Sequence, residues 1–230
     1  MLREFNPPAR GVMIDFERLR QSMVDSQIRP NDVTDPRILA AMLEVPRERF
    51  VPPQRAGLAY LDDDIVVSEA SDGNPARYLV EPMILARLIQ ALNLTAQDHV
   101  LDVGCTTGYS SAILSHLAGS VCGLESDSEL AAAAQRNVPN ARIVTGPLTG
   151  GTVQAGPFDA ILVNGSVEVV PESLLSQLKE GGRLVAVVRK GPPGRATIYA
   201  LHNGAVSARP LFNAAVPPLP GFEAPRGFVF

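Results

Sequence analysis

From Pro82 onward the chain alternates short apolar runs with helix-patterned stretches, and this alternation restricts the fold more than any other feature. His99–Val103 is an apolar run closed by a glycine, the pattern of a strand buried on both faces. Met83–Leu92 before it and Ser110–Leu117 after it read as helices. Ser120–Leu124, Ala141–Thr145, Phe158–Val163 and Arg183–Val188 read as strands, with helices expected over Ser128–Asn137 and Pro171–Leu178. Thr197–His202 and Ala205–Leu211 are two more strand-like stretches. Such an order requires a mostly parallel, twisted sheet of about seven strands with helices on both faces. Right-handed crossovers bring the loops that follow the strands to one sheet edge. The expected class is α/β and Rossmann-like.

Before Pro82 the pattern changes. Phe16, Leu19, Met23 and Ile28 are spaced as one apolar helical stripe. Asp35-Pro36 reads as an N-cap with proline in the first turn, Ile38, Leu39, Met42 and Leu43 as the buried face behind it, and Pro46 as its stop. Residues 47–82 read as irregular and loop-rich, residues 1–12 as a loose leader, and 216–230 as a proline-rich tail wrapping the body. The 230 residues suit one core, so a single domain over 1–230 is expected: an N-terminal helical extension and loop over 1–82, the sheet core over 83–215, and the tail.

Composition narrows the function classes. A net charge of −4 argues against a nucleic-acid partner, which needs a basic face to displace counterions from phosphates. Two cysteines, Cys105 and Cys122, make no disulfide framework, and the three histidines lack zinc-ligand spacing, so no metal is expected. No run is long and apolar enough to span a bilayer, and residues 1–10 lack the apolar stretch of a secretory signal. The chain reads as cytoplasmic, without a membrane partner. Nothing in the pattern sets an oligomeric state.

The chemistry-bearing feature is the turn after the His99–Val103 run. Gly104-Cys105-Thr106-Thr107-Gly108 lets the backbone bend sharply, so a cofactor can approach a helix N-terminus. The spacing is neither the dinucleotide fingerprint nor a P-loop. A turn of this kind also occurs with no ligand, as a plain strand–helix connection. Glu125, closing the second strand about 20 residues beyond Gly104, argues for a ligand, because a carboxylate there grips ribose hydroxyls. Cys105 reads as a packing residue rather than a nucleophile. Asp62-Asp63-Asp64 reads as a solvated acidic turn, since it lacks the alternating spacing of a calcium loop.

Asp102-x-Gly104 through Gly108, with the acid downstream, resembles the cofactor motif of class I methyltransferases. Met23–Ile28, Asp35–Met42, Val45–Pro52 and Ala59–Asp62 resemble the N-terminal landmarks of the protein-L-isoaspartate O-methyltransferase family, and Pro157–Ile161 and Gly181–Val185 resemble later ones. The resemblance runs over roughly Met23–Val188. It implies S-adenosylmethionine as cofactor and methyl transfer to the carboxylate of isoaspartyl residues in damaged proteins, a repair activity. It places Asp102, Gly104, Cys105, Thr106, Thr107, Gly108, Glu125, Pro147, Leu148 and Asn164 around the cofactor.

The sequence departs from that family at three places. The loop whose serine positions the substrate carboxylate reads Asn74–Pro82 here, with Val80 in the serine slot and Tyr78 in the threonine slot. Gly146-Pro147-Leu148 stands for the family's Gly-Asp-Gly, and Asn164-Gly165-Ser166 for its Thr-Ala-Ala-type segment. Residues two apart in an extended segment face the same way, so the Tyr78 hydroxyl is expected to replace the missing serine as a catalytic group. Arg77 is expected to add charge for an acidic substrate, with Val80 and Glu81 completing the substrate loop; packing and solvation are the plainer fates of Tyr78 and Arg77. The departures leave two other readings open: a non-catalytic relative that binds cofactor or peptide, and a methyltransferase retargeted to another acceptor.

Overall fold

The computed structural model describes residues 14–71, 75–191 and 193–224. The expected leader, Asn74 and the end of the tail lie outside these. Helix α1 (Phe16–Met23) starts at Asp15, whose carboxylate accepts from the Arg18 amide. The expected long helix does not continue to Ile28: the chain passes through a π turn at Val24–Ile28 and a 3₁₀ turn at Arg29–Asn31. Met23, Val24 and Ile28 are buried, but Leu19 is 37% exposed at the edge of the stripe. Helix α2 (Pro36–Glu44) starts as expected, with Asp35 capping the Arg37 amide and proline in the first turn. The region expected to be irregular holds a small antiparallel pair, β1 (Ile65–Ser68) and β2 (Arg77–Leu79).

Helix α3 (Pro82–Leu92) leads into β3 (His99–Val103), α4 (Tyr109–Ser115), β4 (Ser120–Glu125), α5 (Ser128–Asn137) and β5 (Arg142–Thr145). Then follow β6 (Phe158–Val167), α6 (Glu172–Leu175), β7 (Leu178–Val188), β8 (Gly194–His202) and β9 (Ala205–Ala214). The seven-stranded sheet has the order β5-β4-β3-β6-β7-β8-β9. Its first five strands are parallel, and β8 and β9 add antiparallel. Two strand lengths differ from expectation. β7 begins at Leu178 and takes the end of the expected helix, leaving α6 a single turn. β6 continues four residues past Val163, so Asn164-Gly165-Ser166 lies inside the strand, at a register shift against β7.

Alternate residues of the strands serve two apolar layers. Val100, Val121, Leu162 and Val185 pack with the N-terminal helices, α3 and α4. Leu101, Cys122, Ile161 and Leu184 pack on the other face, with Leu219 and Phe222 from the C-terminal segment. Among the described residues no helix is long and apolar enough to cross a membrane. The strand order reverses at β3, which pairs with β4 on one side and β6 on the other, and a crevice opens beyond the carboxyl ends of adjacent strands at such a point.

Candidate cofactor and substrate site

The site grows from the end of β3. Gly104 and Gly108 take φ of +79° and +98°, and Thr106 between them +50°, so the turn spends three residues in the left-handed region. The Gly104 and Cys105 amides donate to the Leu124 carbonyl, tying the turn to β4. Asp102 is fully buried, and its Oδ2 accepts from the Ser110 and Ser111 hydroxyls, each at 2.6 Å. Burial pushes its carboxyl up to about 6, against the two serine bonds that lower it. Asn164 Nδ2 donates to Ser110 Oγ at 2.9 Å and joins β6 to this network. Asp102 Oδ1, Thr106 Oγ1, Asn164 Oδ1 and Ser166 Oγ are buried without a hydrogen-bond partner among the described residues.

Glu125 closes β4 as expected and is buried, but its carboxylate is not turned to open space. Oε2 accepts from the Thr106 amide at 2.9 Å, and Oε1 from the Ser126 and Asp127 amides at 2.7 and 3.1 Å. Both oxygens also accept from Arg77, Oε2 from Nη2 at 2.9 Å and Oε1 from Nη1. Arg77 is therefore not solvated: it is 4% exposed and ion-paired. The pair joins residues 48 apart in sequence.

Tyr78 follows Arg77 on β2, and successive strand residues point to opposite faces, so Arg77 rather than Tyr78 reaches Glu125. Val80 is buried, and its carbonyl accepts from Arg47 Nη2 at 2.9 Å. Glu81 starts α3, where its amide donates to Asp64 Oδ1 at 2.9 Å, so Asp64 is not merely a solvated member of the acidic turn. Burial first, then Asp64, Asp62 and Asp63, push the Glu81 carboxyl up to about 7 from 4.5. A folded value above the unfolded one means that the native state holds a proton which the unfolded chain releases. Stability from this group falls as pH rises from about 4.5 to 7. Glu81→Gln is expected to gain about 1 kcal/mol at pH 8, allowing for solvent screening, and nothing at pH 4. Urea melts at the two pH values check this.

Pro147, Leu148, Ser126, Asp127 and Arg77 line a cleft of about 440 Å³, with Pro220 and Gly221 of the C-terminal segment on its rim. Cys105 is buried, and burial raises its thiol well above the ordinary range, which suits packing. Thr107 faces the N-terminal layer, its hydroxyl donating to the Phe50 carbonyl at 2.6 Å. Among the described residues no cluster of side chains could hold a metal.

Sequence reasoning missed two parts of the site. Ser110 and Ser111, just after Gly108, were legible as hydroxyls on the first turn of a helix facing a buried acid. Leu219 carried no local signal. The Pro217 carbonyl accepts from the Ser166 amide, and the Leu219 amide donates to the Ser166 carbonyl, both at 2.8 Å, so the tail docks along β6. A Cβ on Gly104 or Gly165 would stand 2.9 or 2.7 Å from the Leu219 side chain.

A family profile described as "Protein-L-isoaspartate(D-aspartate) O-methyltransferase (PCMT)" matches residues 18–214. Protein-L-isoaspartate O-methyltransferase 2 of Anaeromyxobacter sp. is 37% identical over 190 residues, 80% of this chain and 75% of that protein. The protein-L-isoaspartate O-methyltransferase of Methanoculleus marisnigri is 34% identical over 211 residues, covering 89% and 92%. A solved protein-L-isoaspartate O-methyltransferase superposes with a TM-score of 0.75 at 25% identity, over 88% of this chain and 66% of that one. A Plasmodium falciparum structure described as a putative protein-L-isoaspartate O-methyltransferase, in complex with S-adenosyl-L-homocysteine, shares the fold at a TM-score of 0.71 and 20% identity, covering 89% and 98%.

Proposed function

Because the chain belongs to the protein-L-isoaspartate(D-aspartate) O-methyltransferase family, we propose that it transfers a methyl group from S-adenosylmethionine to the carboxylate of an isoaspartyl residue in damaged protein. The single observation that carries this reading is the left-handed turn Gly104–Gly108 joined through the Thr106 amide to Glu125, with four unpartnered buried oxygens at the same sheet edge. Unpartnered buried acceptors are costly and rare, and those of Asp102, Thr106, Asn164 and Ser166 fit the polar end of a nucleoside carrying an amino-acid tail. The residues fit the group in kind. When bound, the cofactor supplies an electrophilic methyl on a sulfonium.

The chain's own part is alignment. Gly104 and Gly108 allow close approach of the turn, and Cys105, Thr106 and Thr107 set its path. Asp102, fixed by Ser110 and Ser111, and Asn164 offer acceptors, while Pro147 and Leu148 wall the cleft. Glu125 is the carboxylate that would hold the ribose, in place of its present partner Arg77. On the substrate side Arg77 lies nearest the cleft, with Tyr78, Val80 and Glu81 shaping the strand and loop that carry it. A carboxylate acceptor is ionised at neutral pH, so no side chain has to remove a proton. Orientation of the reacting pair then supplies most of the rate. Two free, buried cysteines suit a reducing, cytoplasmic setting.

Transfer of tritiated methyl to an isoaspartyl peptide, with the aspartyl isomer as control, tests the proposal. Label on the isoaspartyl peptide alone is expected. Bound cofactor with no label on either peptide overturns it.

A further inference from the structure

The cofactor edge is filled by the chain's own side chains. Arg77 makes a two-pronged pair with Glu125, the acid expected to hold ribose, and the side chains are 5% and 0% exposed. A Cβ on Gly104 would meet Leu219 at 2.9 Å and Arg77 Nη2 at 3.4 Å, so the face left open by the missing side chain is already occupied. Backbone bonds to Ser166 hold Leu219 there, and the Glu168 amide donates to the Phe222 carbonyl at 3.1 Å, fixing the segment beyond.

We propose that Arg77 is a specificity-determining residue with two partners: it competes with ribose for Glu125 and, once displaced, receives the carboxylate of the substrate. The proposal rests on the methyltransferase reading of this site. A ribose diol hydrogen-bonds a carboxylate but carries no charge, so it satisfies Glu125 and leaves a buried guanidinium unpaired. That is costly unless an anion replaces the lost partner. Glu125 itself keeps three backbone donors, the amides of Thr106, Ser126 and Asp127, whichever ligand it holds. A carboxylate matches the planar fork of arginine in two-pronged geometry, and Arg77 stands on the strand that enters the cofactor cleft from the side of the 74–82 loop. Cofactor and acidic substrate therefore bind cooperatively, and linkage makes the coupling reciprocal. Leu219 has to yield in the same event, since it covers Gly104.

Calorimetric titration with S-adenosylhomocysteine separates the possibilities. The peptide probe is a short isoaspartyl hexapeptide, with its aspartyl isomer as control. With the wild-type chain, saturating isoaspartyl peptide is expected to tighten nucleoside binding by about tenfold to a hundredfold. Arg77→Met is expected to bind the nucleoside alone more tightly than wild type by a similar factor and to lose the effect of the peptide. Arg77→Lys, which keeps the charge without the fork, is expected to retain part of the coupling. Equal nucleoside affinity in wild type and Arg77→Met, with no peptide effect, overturns the proposal and leaves the methyltransferase reading standing. No nucleoside binding by any variant, with or without peptide, overturns both. Should Arg77→Met not fold, the wild-type peptide effect decides, with Leu219→Ala as the second variant. Its predicted outcome is tighter nucleoside binding with the peptide effect kept, and an unchanged affinity counts against self-occupation of the cleft.

Discussion

Glu125→Ala is expected to destabilise the fold by about 3–5 kcal/mol, because it leaves the buried Arg77 guanidinium without its carboxylate. It also removes the acceptor of the Ser126 and Asp127 amides, at the start of the connection before α5, and of the Thr106 amide in the turn between β3 and α4. Domains of this size hold about 5–15 kcal/mol in total, so the loss is a large share. The double variant Glu125→Ala/Arg77→Met is expected to recover about 2–4 kcal/mol of it, since an apolar pair of similar volume often matches a buried ion pair. Denaturant melts of the two single variants, the double and wild type close the cycle. A double variant no more stable than Glu125→Ala would mean that the amides, rather than the guanidinium, carry the cost.

The second large effect is expected at Gly108. Its φ of +98° excludes a side chain on steric grounds, and a Cβ there would lie 2.9 Å from Val138 Cγ2 and 3.2 Å from the Ala134 Cα. The second neighbour is helix backbone and has no rotamer to yield. Gly108→Val combines a left-handed penalty of about 1–2 kcal/mol with about 1–3 kcal/mol of overpacking. The N-terminus of α4 and the α5 backbone are forced apart, and nucleoside affinity is expected to fall with stability. Thermal melts and calorimetry measure the two together. A variant with wild-type melting temperature would show that the turn relaxes more freely than its dihedrals imply.

Much of the fold was legible because its signals are local. Asp35-Pro36 announces a helix within two residues, and His99–Val103 announces a buried strand by itself. The Gly104–Gly108 turn and Glu125 were legible for the same reason, since glycine spacing and a strand-closing acid need no knowledge of what packs nearby. The rest turns on parity and distance. Arg77 rather than Tyr78 faces Glu125, because one step along a strand turns a side chain to the opposite face, and the sequence alone does not fix which of the two points inward. The Arg77–Glu125 pair and the seat of Leu219 depend on tertiary packing that no short window of sequence contains. The extension of β6 through Asn164-Gly165-Ser166 was hidden likewise, because its continuation is supported by pairing with β7 and by the docked tail.

Arg47 has a reach that its place in the N-terminal layer conceals. It is wholly buried, stacks over the Tyr109 ring, and donates to the carbonyls of Ala59 and Val80, the latter one residue beyond the strand that carries Arg77. The backbone just past that strand is thus anchored by a cation acting as a tie-bar to the Ala59 carbonyl, in addition to the pairing of β1 with β2. Loosening the tie-bar would slide the guanidinium fork relative to its acid. A lesion far from any ligand would then register as altered ligand affinity.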